Sequence, residues 1–279
     1  MSGHHDRELK RLERQVFRLR KRIVVLSSPL EVLLKRRGFQ IFSREPVEDL
    51  LIPSRRSIDG YYAMMGKYSF RLFLRDVIKH QDFFTGKMVA RYATADVTRK
   101  YIGYLRSLRL VSVRDTGYAV AGKRLRSFGE TLEWYVAEIL RREFAAETIR
   151  GIKFKGRKPG GDYDILAKMD GEICYIEVKS SPPKQIYESE ITAFLDRIDD
   201  LSPEVSIFLM DTELRMKDKI VPMFEAMLAV RGKEGMPVVR IEKELFHIGR
   251  RIYIINAKDS IAGNIRNVLG RYFRDHDDS

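Results

Sequence analysis

In the segment GGDYDILAKMDGEICYIEVKSSPPK, residues 160–184, an aspartate opens one β-prone run, and a glutamate and a lysine close the next. Successive strand side chains alternate between faces, so Tyr175, Glu177 and Lys179 share one face of ICYIEVK while Cys174, Ile176 and Val178 share the other. Glu177 and Lys179 are then roughly 7 Å apart along the strand, near enough to act on one group without being forced into an ion pair. A hairpin turn at Met169-Asp170-Gly171 brings the run that starts at Asp164 alongside and adds a second carboxylate. Two carboxylates and a backbone carbonyl make an all-oxygen site suited to a hard divalent cation, Mg²⁺ or Mn²⁺. A lysine beside such an ion can position or deprotonate a water and neutralise phosphate charge. Those parts together describe phosphodiester hydrolysis. Glu-x-Lys alone says little, since Glu8-Leu9-Lys10 also matches it. What sets Glu177-Val178-Lys179 apart is its place at the end of an apolar strand, 13 residues after Asp164.

The surrounding elements form an α/β pattern. A helix is expected over 128–144, then β-prone runs over 148–154, 164–167 and 173–178. A helix near 185–201, a strand over 205–210, a helix near 214–230, strands over 238–241 and 252–256 and a last helix over 260–273 complete the order. Helices on both sides of a mixed sheet define the fold class. His247, in ELFHIGRRIYI, reads as a half-buried strand neighbour rather than a base.

At this point the residues resemble the PD-(D/E)XK nuclease superfamily, the restriction-endonuclease-like group that also includes junction resolvases and repair nucleases. The resemblance spans about residues 127–256, within a domain expected over 127–274. Asp164 matches the family's aspartate, Glu177 its acidic position and Lys179 its lysine. GETLEWYV, residues 129–136, is similar to the family's first-helix segment, with Glu133 the better match to its glutamate and Glu130 in reserve. Tyr163 stands where many members have proline, and Gln185 and Tyr187 do not reproduce the spacing of the exonuclease branches. The resemblance implies that Asp164, Glu177 and the Val178 carbonyl hold the metal, that Lys179 orients the water, and that Glu133 assists through the metal or its waters. Asp162 reads as a loop carboxylate, and Lys158 and Lys184 as cations that solvent or a phosphate could claim.

The amino-terminal half differs in charge. Residues 1–126 carry a net +16 and residues 127–279 a net −3, the asymmetry expected of a polyanion-gripping module joined to one that uses carboxylates. Leu9, Leu12, Val16, Leu19, Ile23 and Leu26 recur at steps of three and four, a basic amphipathic helix over 1–28 that could pair with a second copy or lie on the chain's own core. Residues 29–67 read as an irregular connection with at most one short helix. Residues 68–122 give a helix, a short helix near Met88, a helix over 97–108 capped by Asp96, and a hairpin turning at Arg114-Asp115-Thr116-Gly117. This order resembles a winged helix-turn-helix. The resemblance places Thr98, Arg99, Lys100, Tyr101 and Arg106 on or near a DNA recognition helix and Arg114 on the wing.

The chain, 279 residues with 44% hydrophobic content, is long enough for one large or two ordinary cores. Its single cysteine, Cys174, excludes an internal disulfide and a multi-cysteine zinc site, and five scattered histidines offer no ligand cluster. No apolar run is long enough for a membrane span and the charged start is unlike a secretory signal, so a cytoplasmic, nucleoid-associated protein is expected. No P-loop or nucleophile-elbow motif is present. The expectation is a Mg²⁺- or Mn²⁺-dependent DNA endonuclease of repair, recombination or restriction, acting on duplex or branched DNA, with a repair or helicase protein as a further partner. The alternative is a non-catalytic DNA-binding regulator or scaffold that keeps the nuclease fold.

Overall fold

The alternating patterns of YDILAKM and EICYIEVK are realised as neighbouring antiparallel strands in the middle of a large sheet. The computed structural model describes residues 11, 12, 14–23, 28–44 and 50–277. The main sheet contains β1 (Ile41–Arg44), β4 (Glu147–Phe154), β5 (Tyr163–Met169), β6 (Glu172–Lys179), β7 (Val205–Met210), β8 (Val239–Glu242), β9 (Leu245–Ile248) and β10 (Ile252–Asn256). Their order across it is β1-β4-β5-β6-β7-β10-β9-β8. Strands β6, β7 and β10 run parallel, and every other neighbouring pair is antiparallel. A separate hairpin pairs β2 (Val111–Arg114) with β3 (Gly117–Val120).

The helices are α1 (Leu30–Arg36), α2 (Ile58–Met65), α3 (Tyr68–Lys79), α4 (Ala95–Ser107), α5 (Phe128–Phe144), α6 (Glu188–Leu201), α7 (Ile220–Val230) and α8 (Ile261–Asp277). They cover both faces of the sheet. On one face Ile165, Ala167, Cys174, Ile176 and Leu209 pack with Leu132 and Val136 of α5, Ile265 of α8, and Phe70 and Leu105 of α3 and α4. On the other, Leu166, Tyr175, Phe208 and Met210 pack with Leu34 of α1, Phe194 of α6 and Phe224 of α7. Each such buried side chain contributes about 1.5–3 kcal/mol, so the two clusters fix the register of every inner strand.

The β5–β6 turn falls where expected, with Asp170 at φ 51° and Gly171 at φ 86°, the two positive values a tight two-residue hairpin turn needs. Residues 29–67 do more than connect: α1 and α2 lie there, and β1 extends the main sheet along β4. Strand β9, which holds His247, lies between the strands expected over 238–241 and 252–256, and the sequence sets no bounds for it. Helix α7 begins at Ile220, not near 214, because Pro222 is tolerated only in a first turn, where its missing N–H is not called on. The cap of α4 is Thr94, whose hydroxyl accepts from the Val97 amide at 3.4 Å; Asp96 lies in the first turn and pairs with Arg99 at 3.1 Å.

The segment from α3 to β3 has a helix, an isolated bridge between Phe84 and Tyr118, a 3₁₀ turn over Gly86–Val89, a helix and a hairpin. Its apolar residues belong to the same cluster as one face of the sheet. A buried ion pair fastens the two: Arg71 of α3 reaches Asp211, just past β7, at 2.9 Å, with both side chains 2% exposed. Of the amino-terminal apolar stripe, Leu12, Val16, Leu19 and Ile23 are exposed, the last three on a helix over 14–23, so the stripe does not lie on the chain's core there. Leu9, Leu26 and the second Glu-x-Lys, residues 8–10, fall outside the described residues.

Candidate active site

Asp164, Glu177 and Lys179 meet on the α6 side of the sheet, where β5 begins and β6 ends. Asp164 is one step beyond the Ile165–Ile176 pair, across from Glu177. Its Oδ2 accepts the Val178 amide at 2.7 Å. Glu177, 2% exposed, is surrounded by donors. Lys179 Nζ stands 2.9 Å from its Oε1, the Tyr175 hydroxyl donates to its Oε2, and Arg197 Nη1 donates to both oxygens at 3.2 and 3.0 Å. The strand spacing therefore does not keep Glu177 and Lys179 apart. The long lysine side chain folds back along the face, and Glu190 of α6 sits 3.4 Å from its ammonium as a second anion.

Arg197 is the residue that the sequence did not bring forward. It occupies the apolar stripe of α6 with Phe194 and Leu201, and all three are buried. An arginine at a core position of the helix after the Glu-x-Lys strand was the available signal. Leaving a buried charge unpaired costs about 3–5 kcal/mol, so Arg197 and Glu177 hold each other in place. Gly161, at φ +84°, makes room for the guanidinium: a Cβ there would stand 2.5 Å from Arg197 Nη2. Arg197 Nη2 also donates to the Gly160 carbonyl at 3.1 Å, tying the Gly160-Gly161 loop to the site.

The electrostatics follow from two carboxylates withdrawn from water beside each other. Burial raises the Asp164 carboxyl well above its ordinary 3.8, and the negative charge of Glu177 raises it further, against the opposing pull of Lys179, the Val178 amide and Arg197. For Lys179 burial works against the charged form, yet the fields of Glu177 and Asp164 outweigh it and hold the ammonium above its usual range. Lys179 is thus a firm cation. It can orient water or stabilise a phosphate, but as held here it cannot take a proton.

Asp164 and Glu177 lie across from each other on adjacent strands, and two carboxylates are the hard oxygen groups that Mg²⁺ or Mn²⁺ prefers, although both Glu177 oxygens already accept from Lys179, Tyr175 and Arg197. The expected fourth participant is elsewhere. Glu133 is buried on α5 with its Oε2 3.9 Å from Arg150 of β4, and Arg150 pairs across from Ile165, on the opposite face of the sheet from Glu177. Among the described residues no three His, Cys, Asp or Glu side chains stand close enough together to hold a metal. The reserve, Glu130, is buried in the same helix, with its carbonyl accepting from Arg150 at 3.4 Å. Asp162 is part-buried, Lys158 is exposed beside Asp196, Asp199 and Asp200, and Lys184 is exposed.

The expected DNA-contacting residues divide by helix face. Thr98 and Tyr101 are buried, and Tyr101 bonds to Ser69 at 2.9 Å and packs edge-on to Phe70. They belong to the core and cannot meet a groove. Arg99, Lys100 and Arg106 are exposed on α4, and Arg114 is exposed at the hairpin. His247 is half-buried in β9, with its ring 6.4 Å from that of Tyr253.

No family model and no curated protein matches the chain. Among solved structures it is similar to Can2 from Sulfobacillus thermosulfidooxidans, in complex with cyclic tetra-adenylate, at 15% identity and a TM-score of 0.49 over 86% of this chain and 59% of that one. It is also similar to protein VC1899 from Vibrio cholerae, at 13% identity and a TM-score of 0.45 over 86% of this chain and 60% of the other. Both likenesses are distant, and the chain spans about three fifths of the length of each. No helix among the described residues is long and apolar enough to cross a membrane.

Proposed function

We propose that the chain is a divalent-metal-dependent DNA nuclease of PD-(D/E)XK type, with the segment 68–122 serving as a winged-helix DNA grip. The observation that carries this reading is the meeting of Asp164, Glu177 and Lys179 at the mouth of β6. Asp164, Glu177 and the Val178 carbonyl would hold Mg²⁺ or Mn²⁺, which when bound supplies Lewis-acid stabilisation of phosphoryl oxygens. The chain's own residues do the rest. Arg197 and Tyr175 fix the Glu177 carboxylate. Lys179, which contacts both Glu177 and Glu190, would turn to a phosphate oxygen, neutralising charge and orienting the attacking water. Arg99, Lys100 and Arg106 offer an exposed cationic helix face to the backbone of a duplex.

One observation favours the second reading, a non-catalytic DNA-binding scaffold: Glu177 is already saturated by three donors. Incubation of plasmid, forked, flapped and junction DNA with Mg²⁺ or Mn²⁺ separates the two. The nuclease reading expects cleavage of at least one substrate, none in EDTA, and a fall of roughly 100-fold or more for Lys179→Ala. Binding without cleavage on every substrate supports the scaffold, and equal cleavage by wild type and Lys179→Ala removes the site from the reaction.

A further inference from the structure

At the carboxyl end of β6, on the side of α3, a cavity of about 300 Å³ is lined by Arg75, Lys79, Arg91, Tyr92, Ser180 and Ser181. Arg75 is held in place by the Ser180 carbonyl, 3.2 Å from its Nη1. The Tyr92 ring gathers two guanidinium groups, with Arg75 5.5 Å and Arg91 5.3 Å from its centroid. Lys79 and Arg91 are exposed. Asp76 is the one carboxylate in the lining, so three cations face a single anion.

Several other arginines are each neutralised by carboxylates: Arg37 by Glu204, Arg142 by Glu138 and Asp59, Arg157 by Asp200, and Arg231 by Asp196 and Asp199. Cations held together around a hollow repel each other until an anion enters. Two arginines, a lysine and two serine hydroxyls are the donor set of a phosphate site.

We propose that this cavity binds a phosphate of the nucleic-acid strand next to the one presented to Lys179. The proposal rests on the nuclease reading and adds to it a docking point shared between α3 and the sheet. Ser180 and Ser181 follow Lys179 directly, within about 7 Å of extended chain, so one strand can occupy both places. Arg71 and Asp211 fasten α3 to the end of β7, which keeps the two halves of the cavity in fixed relation.

The test is fluorescence anisotropy of a labelled 20-nucleotide DNA, with and without a 5′-phosphate, in Ca²⁺ over a range of salt, for wild type and the double charge reversal Lys79→Glu/Arg91→Glu. Both positions are exposed, and Lys79→Ala/Arg91→Ala serves as a milder second variant; unchanged melting curves verify folding. The expected result is affinity lowered roughly ten-fold near 0.15 M salt and a salt slope shallower by about 1 to 2. A penalty equal for both oligonucleotides identifies an internal phosphodiester as the ligand, and one confined to the phosphorylated strand identifies a terminal phosphate. Unchanged affinity and slope in both folded variants overturn the proposal alone. A wild-type chain that binds neither oligonucleotide overturns the nuclease reading beneath it.

Discussion

Asp164 carries a charge that its surroundings disfavour. Its folded-state carboxyl is held above 3.8, first by burial and then by Glu177, so between the ordinary aspartate range and that raised value the native chain binds more protons than the unfolded one. Stability from this group is therefore greatest at low pH and falls as pH rises through that window. Asp164→Asn keeps an oxygen for the Val178 amide and removes the charge. It is expected to melt higher than wild type at neutral pH and to lose less stability as pH rises, measured by thermal denaturation across a pH series; a lower melting temperature at neutral pH contradicts the electrostatic account. Asp164, Glu177 and Lys179 were legible because strand alternation fixes which side chains share a face. Arg197 was not, since a cation within a helical stripe gives no sign of the carboxylate it meets on another element. Glu133 was misplaced for a related reason: spacing along α5 does not tell which face of the sheet the helix will cover.

Between elements, the faces of α4 decide which residues can touch a partner. Its inward side places Thr98, Tyr101, Ile102 and Leu105 in the core, and its outward side presents Arg99, Lys100 and Arg106. Arg99→Glu/Lys100→Glu is expected to weaken DNA binding and reduce the salt slope by about 2. Tyr101→Phe is expected to leave affinity unchanged while costing about 1 kcal/mol of stability through the lost bond to Ser69. Equal affinity for the charge-reversed and wild-type proteins contradicts a DNA-facing α4. Periodicity made most inner strands legible, including β7 to the residue. It failed at β1, a four-residue strand whose partner β4 is distant in sequence, and at α7, where the position of Pro222 outweighs the apolar pattern; at β9, another four-residue strand, it marked His247 as a strand neighbour without bounding the strand.

Across the whole molecule, one hydrophobic cluster runs from α2–α4 through α5 and α8 to the sheet, and Arg71 and Asp211 pair where the helical layer meets the end of β7. A shared core is expected to unfold in a single cooperative transition, visible as coincident calorimetric and spectroscopic melts. Arg71→Met leaves Asp211 buried without its partner, and the whole transition is expected to weaken by about 3–5 kcal/mol; two separate transitions, only one of them shifted, contradict the shared core. The most direct measurement on the account as a whole is the rate of DNA cleavage by Asp164→Asn beside wild type in Mn²⁺, with both proteins shown to be folded and to bind DNA equally. Loss of a metal ligand removes several kcal/mol of transition-state stabilisation, and the predicted fall in rate is roughly 1,000-fold. Cleavage by Asp164→Asn at the wild-type rate contradicts the account, because the chemistry then lies away from Asp164, Glu177 and Lys179.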